Sequence, residues 1–99
     1  MVGRKPMHPG KVLENILERL NLTKTEAAAK LGISRKALSE FCGGKTNCTV
    51  QMASKLAAAL DMNAAAWINM QANHDAWEAQ NMNVDGVEKF PKEPMKKAV

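Results

Sequence analysis

The sequence predicts an all-α chain of five short helices, and three observations carry that reading. Fifteen Ala, eight Leu and seven Met stand against three Ile, four Thr and no Tyr, a balance that favours helix over strand. Apolar residues recur at helical rather than alternating spacing. Each periodic segment opens on a residue suited to a helix start, and two of them close on glycine. Ninety-nine residues are one domain's worth of chain.

The first helix spans Pro9 to Leu20. Proline at the first helical position sacrifices no hydrogen bond. Val12, Leu13, Ile16, Leu17 and Leu20 form one apolar stripe, while Lys11, Glu14, Asn15, Glu18 and Arg19 take the other face. The second opens on the capping box Thr23-Lys24-Thr25-Glu26 and ends at Leu31-Gly32. Gly32 supplies the left-handed turn that a sharp reversal requires. Ser34 caps the third helix, which runs to about Cys42 before Gly43-Gly44 stops it. Thr49 caps the fourth, to Leu60, with Ala53, Leu56, Ala57 and Leu60 inward, and Asn63 caps the fifth, through Gln80. Beyond Asn81, Gly86, Pro91, Pro94 and four lysines mark a short flexible tail. The expected organisation is an arm at 1–8, a folded domain at 9–81 and a tail at 82–99.

Several function classes fall away. The longest apolar runs, Leu56–Leu60 and Ala64–Ile68, are five residues, whereas a membrane span needs about 20. The basic N-terminus lacks the apolar stretch of a signal peptide, so a cytoplasmic location is expected, with Cys42 and Cys48 as thiols. Two cysteines six apart and two histidines, His8 and His74, do not make a zinc pattern. No phosphate-binding glycine loop, nucleophile elbow or HExxH is present. No metal, no cofactor and no enzymatic activity are expected.

Charge is unevenly placed. Residues 24–48 carry five basic and two acidic groups, and residues 49–82 carry one basic and three acidic. The basic stretch coincides with a geometric pattern. Two helices crossing at roughly 90–120° through a 3–4-residue turn need a small residue at the crossing and Gly at the bend. Ala28 and Gly32 answer that need. At about 100° per residue, Ala37, Leu38 and Phe41 fall on the inner side of the third helix. Arg35, Lys36, Ser39 and Glu40 fall on the outer side. Donors at the exposed N-terminal part of such a helix are what base edges in a major groove receive.

Lys24 to Phe41 resembles the helix-turn-helix of the phage-repressor (Xre/Cro) group, with Ala28, Gly32, Ile33 and Leu38 at its packing positions. The likeness continues through His8-Pro9-Gly10, "LGISRKALSEFCGGK", "MASKLAAAL" and "AAWINMQANHDAW", which are similar to the HigA family of antitoxins. It covers about 70 of the 99 residues. The resemblance implies a phage-repressor-like five-helix domain with its helix-turn-helix at 24–42. It also implies an operator-binding homodimer reading an inverted repeat of double-stranded DNA, and a HigB-like mRNA-endonuclease toxin as partner. Two positions depart from the family pattern. Lys24 stands where Gln often bonds a phosphate, and Lys11 stands where an acidic residue usually follows the HPG motif.

On this reading Ser34, Arg35, Lys36 and Ser39 read bases, and Lys24, Thr25, Lys45, Thr46 and Asn47 meet phosphates. Trp67 is expected in the core and His74 as a satisfied structural residue. Met70, His74 and Trp77 are candidates for a dimer interface on the fifth helix. Glu14, Glu18, Asp61, Asp75 and Glu78 are candidates for meeting a basic toxin. Two alternatives stay open: a stand-alone repressor without a toxin, and a protein-interaction adaptor that has lost DNA binding. Arg35 and Lys36 argue against the adaptor.

Overall fold

The computed structural model describes residues 4–91. It contains α1 (Pro9–Leu20), α2 (Lys24–Leu31), α3 (Arg35–Cys42), α4 (Val50–Leu60) and α5 (Ala64–Gln80), with no strand among the described residues. All five starts are set by side-chain caps. Thr23, Ser34, Thr49 and Asn63 each accept a backbone N–H of the following turn, and His8 does the same for α1 through Nδ1. The imidazole cap was not anticipated.

Helix ends follow a shared device. Three helices stop on a left-handed residue, and only one of these is glycine: Gly32 at φ 73°, beside Asn21 at 59° and Asp61 at 56°. Asn and Asp tolerate this region because their short polar side chains bond locally. The next residue then returns its N–H five residues back, Leu22 to Leu17, Ile33 to Ala28 and Met62 to Ala57, at 2.9, 3.0 and 2.9 Å. Leu22 and Ile33 thereby turn onto the core.

The core joins Leu13 and Leu17 of α1, Ala27, Ala28 and Leu31 of α2, and Leu38, Phe41 and Cys42 of α3. Cys48, Ala53, Leu56 and Trp67 complete it. Trp67 is fully buried, as expected. Leu20 is not where its periodicity put it. It lies 53% exposed at the last turn of α1, because the chain reverses at Asn21 and no later helix covers that turn completely. Ala57 and Leu60 are half-buried for a similar reason. Residues 81–91 are exposed throughout, with Met82, Val84, Val87 and Phe90 bare to solvent. The radius of gyration is 17.6 Å, against about 13 Å for a compact domain of this size, so this segment projects from the body. The expected tail continues to residue 99, and residues 92–99 lie outside the described residues.

One close approach fixes α1 against α3. A methyl group on Gly10 would overlap the carbonyl of Phe41 and stand 3.1 Å from the Cα of Cys42. Backbone meets backbone here, so neither side can yield. Gly10→Ala is therefore expected to lower unfolding free energy by about 3 kcal/mol or more, the upper end of overpacking costs. Gly43→Ala, whose added carbon meets the Ser39 carbonyl at 3.3 Å and the Glu40 carbonyl at 3.7 Å, is expected to cost much less in urea denaturation.

Candidate nucleic-acid interface

The α2–turn–α3 unit is assembled from local hydrogen bonds. Thr23 Oγ1 accepts the Glu26 N–H at 3.1 Å while Glu26 Oε1 accepts the Thr23 N–H at 2.9 Å, completing the capping box. That bond holds the Glu26 carboxyl below its usual range. Ala28, 3% exposed, sits at the crossing of the two helices. Ser34 Oγ accepts the Ala37 N–H at 3.0 Å and starts α3. Leu38, Phe41 and Cys42 then lock the inner face of α3 into the core with no exposed surface.

The outer face remains open. Ser34, Arg35 and Lys36 are exposed, and Ser39 is half-buried one turn further on. Glu40 is also half-buried, and its carbonyl accepts the Lys45 N–H at 2.9 Å, tying the following loop to the end of α3. Lys45, Thr46 and Asn47 are exposed on that loop, and Thr25 is exposed on α2. Lys24 is less available. Its Nζ donates to Glu14 Oε2 at 3.2 Å, and Lys11 stands 3.5 Å from the other oxygen. The hydrogen bond from Lys24 chiefly holds the Glu14 carboxyl down.

The roles of two residues of this region are not legible in the sequence. Gln71 of α5 is buried and brackets the loop: its Oε1 accepts the Cys48 N–H at 2.6 Å, and its Nε2 donates to Asn47 Oδ1 at 3.3 Å and Asp75 Oδ1 at 2.9 Å. A polar residue one turn after Trp67, on the same helical face, is the signal that could have found it. The other is His8. Its ring lies edge-on to Phe41 at 5.7 Å and to His74 at 5.1 Å, between the start of α1 and the second half of α5.

His74 departs from expectation. Its side chain is 13% exposed and its Nδ1 has no hydrogen-bond partner, so it is packed rather than satisfied. His8 and His74 do not form a metal site. His8 Nδ1 accepts the Gly10 N–H at 2.8 Å, which places the neutral ring's proton on Nε2 and leaves no lone pair for a metal. The other α5 candidates are also engaged within the chain. Met70 packs on the core, and Trp77 is half-buried with Lys5 Nζ 5.3 Å from its ring centre. Lys5 also stands 3.4 Å from Glu78, so the arm is fastened to α5. Of the five carboxylates considered for a basic partner, Glu14, Asp75 and Glu78 already serve internal contacts, while Glu18 and Asp61 stand exposed.

The helix-turn-helix family profile matches residues 13–67. The chain is 37% identical to the uncharacterized HTH-type transcriptional regulator YbaQ of Escherichia coli, over 79% of this chain and 70% of that one. It is 33% identical to antitoxin HigA-1 of Vibrio cholerae, over 79% and 74%. Its fold is shared, at a TM-score of 0.70, by a structure of Pseudomonas aeruginosa antitoxin HigA with the higBA promoter. That likeness is 24% identical and covers 77% of this chain and 86% of that chain.

The burial of His8 makes stability depend on pH. Burial above all, and then the charge of His74, hold its pKa below the ordinary 6.5. The unfolded chain thus takes up a proton before the folded one does, and stability declines as pH falls below 6.5 towards the folded value. Glu14, whose pKa lies below 4.5, adds its loss only at lower pH. Asparagine can replace the cap without titrating. Thermal midpoints are therefore expected to fall between about pH 7.5 and 5.5, and to fall less in His8→Asn.

Proposed function

This chain belongs to the Xre-type helix-turn-helix family, whose members among its relatives include HigA antitoxins, and on that premise we propose an operator-binding repressor that also neutralises a toxin. The observation that carries the first half is the two-sided construction of α3. Its inner face is sealed into the core, and its outer N-terminal face presents Ser34, Arg35 and Lys36 to solvent. A rigid helix with exposed donors at its leading end suits insertion into a major groove.

In this reading residues 9–81 are the DNA-binding unit, with the helix-turn-helix at 24–42, and it works in the cytoplasm. Ser34, Arg35, Lys36 and Ser39 read base edges. Thr25, Lys45, Thr46 and Asn47 meet the backbone, and Lys24 joins them by sharing its ammonium between Glu14 and a phosphate. One such helix covers only a few base pairs, so the protein binds an inverted repeat as a two-fold dimer, its recognition helices about 34–36 Å apart. The second half of α5 contributes to the contact, with Trp77 and, at its edges, Met70 and His74. The toxin is a small basic protein, met on a surface that leaves α3 uncovered and that includes Glu18 and Asp61. A stand-alone repressor is the second reading, favoured by the likeness to the regulator YbaQ.

Arg35→Ala is expected to relax discrimination at one base position by about 1–3 kcal/mol. Lys45→Ala is expected to weaken binding to every sequence alike and to lower the salt slope by roughly one. Operator titrations over a range of salt concentrations check both, and two variants indistinguishable from the parent would remove α3 from the groove. Trp77→Ala is expected to weaken dimer formation and operator binding together in sedimentation and gel-shift assays. Co-expression with the product of the adjacent gene decides between the two readings. Growth arrest relieved by this chain supports the antitoxin, and a harmless neighbour leaves the stand-alone repressor.

A further inference from the structure

Two apolar features have no partner among the described residues. One is a groove walled by Leu17, Leu20, Leu22, Leu31 and Leu60, where α1, α2 and α4 end together. Its volume is about 80 Å³, roughly half the ~150 Å³ that encloses a benzene ring in a closed cavity. The groove is therefore too small to enclose a phenyl ring, and a ring seated on it lies across the open mouth against Leu20. One charged residue lines the groove, Lys30. The other feature is the segment after α5. Val84, Val87 and Phe90 recur every third residue and are 62%, 75% and 92% exposed. Aliphatic side chains beside one cation match an aromatic anchor beside one carboxylate. Glu88 stands two residues before Phe90, the spacing that puts both on one side of an extended segment.

We propose that the groove receives Phe90 of a second copy of this chain, with Glu88 pairing with Lys30 at the rim, so that two chains exchange tails. The occupant is a second copy because the chain's own segment leads away from its body. The longest dimension is 56 Å against 29 and 27 Å for the others. Each chain carries one groove and one anchor, so a two-fold pair satisfies both features and closes at two. The groove includes none of Ser34, Arg35, Lys36, Ser39, Lys45, Thr46 or Asn47, so tails can be exchanged with DNA bound. The inference rests on the dimeric-repressor reading and supplies that dimer with a second contact, separate from α5.

Sedimentation equilibrium of the full chain at micromolar concentration tests it. Phe90 is exposed in the single chain, so Phe90→Ser is expected to leave the helical circular dichroism spectrum unchanged while raising the dimer dissociation constant about tenfold or more. Lys30→Glu is expected to weaken the dimer, and Lys30→Glu combined with Glu88→Lys to restore it. A Leu20→Cys chain mixed with a Phe90→Cys chain is expected to give a disulfide-linked product of two chains. A parent chain that stays monomeric overturns the proposal, as does a Phe90→Ser dimer as tight as the parent's. A disulfide formed only within single chains carrying both cysteines also overturns it, by making the chain's own tail the occupant. Operator titration of the same variants separates the two readings. If Phe90→Ser dimerises and binds operator as the parent does, the tail exchange fails and the repressor stands. If the parent itself binds no DNA, the repressor reading fails, and sedimentation alone decides the tail exchange.

Discussion

The contact on which the rest depends is the one between Gly10 and the Phe41 carbonyl, where α1 rests on the backbone of α3 with no side chain between them. Backbone packing at that distance leaves no slack, so it sets where α3 begins and ends relative to everything else. Phe41 is then fixed in the core that also holds Trp67, and the Gly43–Gly44 turn must leave α3 along the wall formed by His8. The three residues His8-Pro9-Gly10 thus work as one piece. Proline starts the helix without a donor, histidine caps it, and glycine lets it reach its neighbour. The position of the exposed face of Ser34, Arg35 and Lys36 follows from a contact on the opposite side of the same helix.

Most of the local architecture was legible in the sequence. The bounds of α1 through α5, the capping box at Thr23 and the left-handed turn at Gly32 all depend on residues a few positions apart, which is the range over which composition and periodicity speak. What stayed hidden depends on long-range contacts. Gly10 reads as a helix-start glycine until α3 is placed against it. His8 reads as an arm residue until Phe41 and His74 arrive on either side. Asn21 and Asp61 end their helices as Gly32 does, without glycine's signal, because short polar side chains accept the same backbone region. Leu20 followed the right periodicity and still came out exposed, since a stripe marks a face but not how far the covering helices extend.

The candidate DNA face was readable because it is defined by what it lacks: no apolar residue breaks Ser34, Arg35 and Lys36. The electrostatics around it were not. Glu14 looks like a surface carboxylate in the sequence, yet it gathers Lys24 and Lys11 and so links the starts of α1 and α2. Asp75 and Glu78 are likewise occupied, one by Gln71 and one by Lys5. Each of these exposed or half-exposed pairs is individually weak. Their combined effect is directional, since they turn basic side chains of the arm and α2 towards the body of the domain.

Gln71 has a consequence for what complex formation costs. A loop that is disordered before it meets DNA surrenders its freedom on contact, at about 0.5–1.5 kcal/mol for each side chain immobilised. Here the amide of one buried glutamine holds the Cys48 N–H and the Asn47 side chain, so the loop from α3 to α4 is already shaped in the free chain. Carbonyl and amino ends are both used, and a glutamate in its place would have oxygens at both ends and nothing to donate to Asn47 or Asp75. On the proposed reading of the loop as a phosphate contact, the arrangement transfers an ordering cost from the moment of association to the folding of the chain.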